Sequence, residues 1–406
     1  MRKLNKLFVG VGVLVIVVAS VILLSVRYYN SSQRSVPQVY SNYSMLRELW
    51  ETYKREYIEP GTFRTLDKQQ TNITTSEGQS YTMLRAVWMD DKETFDRSWK
   101  WTKDNIQRDD SLMSWKFGLL PDGSYGIQTN VNGQNTASDA DQDIALSLLM
   151  AYNRWNEDDY YYDALPIIDN IWKKQVVEVQ GKPLLAANDI ERLAADSIIV
   201  NPSYFAPYAY KVFAKVDADK THRWTALADN SYDLIAASSS ANLDKSSSTG
   251  LPPNWFKIAK ASGELSVANS TDLNTDYSYD AMRVPFRLAM DWSWFKDDRA
   301  KTQLSKFSFL QDQWSEKRKL NAEYTHDGTV KGDYESPAVY GGSLGYFDVI
   351  NRGMSDDLYR NKLQTLYNPD TQSWQRTLSY YDDNWAWFGI ALHQGALVNL
   401  TTDNRN

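Results

Sequence analysis

Apolar residues recur three and four positions apart along most of the chain, in the stretches 43–57, 79–103, 141–155, 160–175, 219–237, 297–314, 354–366 and 383–397. That spacing lays one stripe along an α-helix. Within 141–155, Ile144, Leu148, Tyr152 and Trp155 fall on one face and read as core. The alternation that marks strands is sparse. Loops rich in Gly, Asn, Ser or Pro separate the helices, notably 121–136, 238–254 and 322–342. About a dozen helices without sustained strands predict one large all-α domain. A superhelical solenoid and a closed toroid of helical hairpins both satisfy this pattern, and periodicity alone does not choose between them.

The N-terminus departs from that pattern. Arg2, Lys3 and Lys6 precede an uncharged apolar run from Phe8 to Val26. At about 1.5 Å per residue, roughly 20 helical residues cross the hydrocarbon core of a bilayer. The basic flank predicts a cytoplasmic N-terminus. A cleaved signal peptide has the same charges but a shorter apolar run and small residues before the cut. Here the run ends Leu23-Leu24-Ser25-Val26-Arg27. The expected organisation is a cytoplasmic flank (1–7), a transmembrane signal anchor (8–26), a polar stalk (27–40) and one extracellular domain (41–406). Secretion after signal cleavage is the alternative.

Composition narrows the chemistry. The net charge of −7 argues against a nucleic-acid partner, whose phosphates attract Lys and Arg. The absence of cysteine excludes disulfides and thiolate chemistry. His222, His326 and His393 lack ligand spacing, so no metal centre is expected, and no cofactor is implied. With 15 Trp and 26 Tyr, the chain has either a large aromatic core or a cleft in which sugar rings lie on aromatic faces.

Three segments carry acids in suggestive settings. In Thr75-Ser76-Glu77-Gly78-Gln79-Ser80-Tyr81, Thr75 or Ser76 can cap a helix running to about Trp101, with Glu77 in its first turn. In Ala137-Ser138-Asp139-Ala140-Asp141-Gln142-Asp143, the acids can be caps. They lack the glycine and the twelfth-position glutamate of a calcium loop. In the segment from Asp276 to Arg287, Tyr279, Asp280 and Arg283 form a polar cluster at a helix start. Each acid taken alone reads as a partner of a helix N-terminus, or for Asp280 of Arg283, rather than as a catalyst. Glycosidic hydrolysis needs two such groups, one protonated and one ionised.

Together the segments resemble glycoside hydrolase family 8. Residues 137–155, A-S-D-A-D-Q-D-I-A-L-S-L-L-M-A-Y-N-R-W, are similar to that family's signature. Ser76-Glu77-Gly78 with Tyr81 and Met83-Leu84 resembles the general-acid segment, and Tyr279-Asp280-Ala281-x-Arg283-x-Pro285 the general-base segment. Asn201-Pro202-Ser203-Tyr204-Phe205-Ala206-Pro207 and Tyr380-Tyr381-Asp382-Asp383 also look like family segments, in the family's order. The resemblance implies an (α/α)6 barrel and an inverting, endo-acting hydrolase of a β-linked polysaccharide. Glu77 would be the acid and Asp280 the base, kept ionised by Arg283 or the Tyr279 hydroxyl. Asp139 would bind the sugar at the cleavage point and help orient the water. Trp115 would be a stacking platform, with Tyr204, Tyr279, Arg283 and Tyr381 as further substrate contacts. The anchor favours a bacterial exopolysaccharide at the cell surface, beside synthase machinery and in biofilm. The competing readings are a non-catalytic, membrane-tethered polysaccharide-binding protein on the same fold, and a lyase or α-glycan hydrolase on a similar toroid.

Overall fold

The computed structural model describes residues 43–402 except 269, 271 and 272. The expected flank, anchor and stalk lie outside the described residues. Among the described residues no helix is long and apolar enough to cross a membrane. From Tyr43 onward the chain forms one compact, mostly helical unit.

Its α-helices are α1 (Ser44–Tyr57), α2 (Ser76–Met89), α3 (Lys92–Asn105), α4 (Ser138–Trp155), α5 (Asp158–Gln175), α6 (Pro207–Val216) and α7 (Trp224–Ser240). They continue with α8 (Arg283–Phe295), α9 (Asp298–Leu304), α10 (Ser308–Lys317), α11 (Pro337–Ile350), α12 (Arg352–Leu358) and α13 (Tyr380–His393). Helices α2, α4, α6, α8, α11 and α13 each pack on the next. The ring closes where Arg85 of α2 meets Asp383 of α13 at 2.8 Å, and where Tyr81 packs edge-on against Trp385 and Phe388. Outside it, α1 lies against α13 and α2, α3 against α2, α5 against α4, α7 against α6, α9 against α8 and α12 against α11. Trp314 of α10 packs on Tyr340 of α11. Two such layers are consistent with an (α/α)6 barrel.

Inner helices are buried nearly all round because they touch neighbours on every side. In α2 every residue but Glu77 is buried, and in α4 every residue from Ser138 to Ala151. Of the core face read within 141–155, Ile144 and Leu148 are fully buried, whereas Tyr152 and Trp155 are half-buried.

Several boundaries differ from the sequence reading. The single helix expected over 79–103 is two. Asp90 turns the chain with φ 61°, and the Asp91 carboxylate caps α3 by accepting the Thr94 N–H at 3.0 Å. The stretch 297–314 divides between Leu304 and Ser308, and 354–366 ends in π and 3-10 turns after Leu358. Most of the loop expected at 322–342 is ordered structure, including the first turns of α11. Its glycines are there for close approach. A Cβ on Gly341 would stand 2.0 Å from the Trp385 carbonyl oxygen, and one on Gly342 2.4 Å from that of Met282.

Strands are short. β1 (Thr74–Thr75), β2 (Lys116–Leu119) and β3 (Tyr125–Ile127) form an antiparallel sheet in that order, with Thr75 opposite Lys116. A hairpin of β4 (Glu323–Tyr324) and β5 (Val330–Gly332) precedes α11. Other pairs join 176–179 to 182–185, 197–200 to 256–259 and 265–266, and 367–368 to 373–374.

Candidate active site

The N-terminal ends of the inner helices meet at one mouth of the ring. The Thr75 hydroxyl caps α2 by accepting the Gly78 N–H at 3.0 Å, and Glu77 follows in the first turn. Ser76 N–H donates to the Trp115 carbonyl at 3.0 Å, which fixes β2 beside the helix start. Asp139 is the second residue of α4, and its Oδ1 accepts the Ala140 N–H at 2.9 Å. Asp280 stands just before α8 on a loop stapled by Asn254. The Asn254 Oδ1 accepts the N–H groups of Ser278 (3.3 Å) and Ala281 (2.9 Å), and its Nδ2 donates to Ser278 Oγ (2.7 Å).

Arg283 gathers the three carboxyl groups. Its Nη1 donates to Glu77 Oε2 at 3.1 Å and to Asp139 Oδ2 at 2.9 Å, and its Nη2 to Asp280 Oδ1 at 2.5 Å. The terminal nitrogens of a guanidinium are about 2.3 Å apart in a rigid fork. The nearest oxygens of Glu77 and Asp280 are therefore within roughly 8 Å, which admits the ~6.5–9.5 Å spacing of an inverting pair. Tyr380 donates to Glu77 Oε1 at 3.1 Å, and the Trp255 indole N–H to Asp280 Oδ2 at 3.0 Å. The Tyr204 ring covers the guanidinium at 5.3 Å.

Burial separates the acids. The side chains of Glu77 and Asp280 are 24% and 31% exposed, but that of Asp139 only 3%. Glu77 is pushed up to about 7, chiefly by burial. Arg283 opposes that rise, while Asp139 and Asp280 add to it. Burial also lifts Asp139 above the usual carboxylate range, against the pull of Arg283. One positive charge among three carboxyls favours keeping a proton within the group.

The other expected residues lie around this cluster. Trp115 is half-buried, donates its indole N–H to the Asn132 carbonyl at 2.9 Å, and lines a cleft of about 300 Å³ with Asn135, Glu191, Tyr204 and Trp255. Tyr279 and Tyr381 meet edge-to-face at 6.0 Å, and the Tyr381 hydroxyl donates to the Tyr279 carbonyl at 2.5 Å. Tyr381 thus shapes the Asp280 loop. Of the two groups expected at Asp280, Arg283 contacts it and the Tyr279 hydroxyl is replaced. That hydroxyl faces Tyr334, and Trp255 takes the place at Asp280. Among the acids of 137–143 none caps α4. Asp141 accepts the Met113 N–H at 2.9 Å and a Gln175 amide N–H at 2.5 Å, and Asp143 pairs with Arg287 at 2.6 Å. Trp255, Tyr380 and Asn254 were not singled out from sequence. Tyr380 adjoins Tyr381 in a segment that was, whereas Trp255 looks locally like any other aromatic. Among the described residues no group of His, Asp and Glu is arranged to hold a metal ion.

Two carboxyl groups gathered by one arginine, one of them raised to hold a proton, match the acid and base that glycosidic hydrolysis requires. The model of the family described as glycosyl hydrolases family 8 matches residues 29–328, and the chain belongs to that family. It is 32% identical over 324 residues to "Endoglucanase A" of Acetivibrio thermocellus, covering 74% of this chain and 63% of the relative. It is 31% identical over 278 residues to "Endoglucanase 2" of Ruminiclostridium josui, covering 65% and 54%. The chain therefore spans less than two thirds of the length of either relative. Its fold matches that of a beta-1,3-1,4-glucanase from Paenibacillus sp. X4, with a TM-score of 0.71 at 24% identity over 86% of this chain and 91% of that one.

Proposed function

We propose that the chain is an inverting, endo-acting hydrolase of a β-linked polysaccharide, built as an (α/α)6 barrel. The observation that carries this is the unequal setting of two carboxyls held by one arginine. Glu77, raised to about 7, keeps a proton for the leaving glycosidic oxygen. Asp280, held by Arg283 on one oxygen and by the Trp255 indole N–H on the other, is the group placed to take a proton from water. Asp139 holds the sugar at the cleavage point and orients that water. The water attacks the anomeric carbon on the face opposite Glu77, so the product has inverted configuration. The relatives named as endoglucanases support a β-glucan substrate and attack within the chain.

Incubation with a polysaccharide panel, with product anomers read by NMR, tests the reading. Inversion on a β-glucan is expected, and retention would remove Asp280 as base. Glu77→Gln should lower turnover at least about 10²-fold while leaving polymer binding largely intact. Residues 8–26 support a further element, a signal anchor that keeps the domain outside the cell membrane beside its own exopolysaccharide and the synthase that makes it. Mature protein beginning near Tyr28 would refute the anchor. Unchanged secreted polymer and biofilm in a deletion strain would refute the exopolysaccharide role.

A further inference from the structure

The β4–β5 hairpin is tied to the loop that carries Asp280. Tyr277 N–H donates to the Tyr324 carbonyl at 2.8 Å, and Tyr324 N–H returns the bond at 3.1 Å. Lys331 reaches Asp276 at 2.5 Å. This double bridge and ion pair set the register of the hairpin against the proposed base.

Two residues beyond β5 stands Tyr334, 46% exposed. Its ring folds back over Gly332, where a Cβ would lie 2.6 Å from Cε1. Its hydroxyl donates to Glu323 Oε1 at 2.7 Å, and its carbonyl accepts the Ala322 N–H at 2.7 Å. The hydroxyl also adjoins that of Tyr279. Tyr279 in turn meets Tyr381 and directly precedes Asp280. Tyr334 therefore extends an aromatic row outward from the cleavage point, with its orientation set by a glycine, a carboxylate and the backbone. Two other exposed tyrosines lack these features. The Arg64 guanidinium sits over the Tyr125 ring at 4.8 Å, and Tyr162 belongs to the outer helix α5.

We propose that Tyr334 is a binding platform for a pyranose ring of the polymer, a subsite on the Asp280 side of the cleavage point, beyond the Tyr279–Tyr381 pair. A β-linked pyranose with equatorial hydroxyls presents a face of C–H groups, which suits a ring already held in place. Little side-chain freedom remains to be lost on binding. This rests on the functional reading, because only a chain already lying past Asp280 reaches Tyr334.

The test is calorimetric binding of cello-oligosaccharides of increasing length in the Glu77→Gln background. Tyr334→Ala should weaken the longer oligosaccharides about tenfold, the size of one aromatic contact. The loss should appear only once the ligand is long enough to span the row. Tyr334→Phe should keep most of the affinity, and Gly332→Ala, which displaces the ring, should reproduce part of the loss. An equal loss at every length, or none at any length, overturns the subsite. If the Glu77→Gln protein binds no cello-oligosaccharide and the wild type cleaves no β-glycan, the functional reading itself has failed.

Discussion

Arg283 must satisfy three carboxyl groups with a single charge, and the arrangement makes Glu77 sensitive to each neighbour. On the proposed mechanism Glu77 works as the protonated acid, so activity should fall as pH rises through about 7. The Tyr380 hydroxyl donates to Glu77 and so favours its ionised form. Tyr380→Phe removes that donor, raises the affinity of Glu77 for its proton, and should move the alkaline limb of kcat/KM to higher pH. A limb that stays in place or moves down would show that another group sets it. At this scale the sequence was readable where residues repeat a short local pattern: Glu77, Asp139, Asp280 and Arg283 all lie within such segments. It was silent where a contact joins distant positions. Trp255 acquires its role only when the 252–257 segment folds against Asp280, and no local feature of that segment announces it.

Among the elements, α11 shows why periodicity falls short at the centre of this fold. A helix enclosed on all sides has no polar stripe, and its glycines resemble breakers until their neighbours are known. Outer helices such as α1 and α5 keep a solvent face and were readable almost to their ends. The break at Asp90-Asp91 was available in principle as a turn followed by an acid three residues before Thr94. A continuous apolar pattern on either side masked it. Gly341→Ala drives a methyl group into the backbone of α13. It should cost at least about 1–3 kcal/mol, seen as a clear fall in Tm. Gly353→Ala, whose Cβ would meet only Asn351 Oδ1 at 3.7 Å, should keep Tm or raise it slightly. Equal Tm values for the two variants would contradict the close approach of α11 and α13.

The molecule as a whole depends on joining its first inner helix to its last. Arg85 and Asp383 are both buried at that seam, and the guanidinium is enclosed by Trp50, Tyr53 and Trp387 at 5.3, 4.1 and 4.7 Å. Removing one partner leaves the other charge buried alone. Arg85→Met should therefore destabilise the fold by about 3–5 kcal/mol in denaturant unfolding, far more than loss of a surface pair. A change below about 1 kcal/mol would mean that aromatic packing, not the ion pair, closes the ring.

The same helix α13 shows where the two ends of the described residues lie. Tyr380, at the start of α13, touches Glu77, whereas Gln394, just past its end, accepts a hydrogen bond from the Tyr43 hydroxyl. Fourteen helical residues at about 1.5 Å each separate the two by roughly 20 Å. Leu397 and Val398 lie on that far side as well, held by Trp294 and Trp88 near the ends of α8 and α2. Both described ends thus leave from the floor opposite the mouth. A tag or solid support joined directly at Tyr43 or just past Val398 would grip this folded unit from behind and leave the mouth clear.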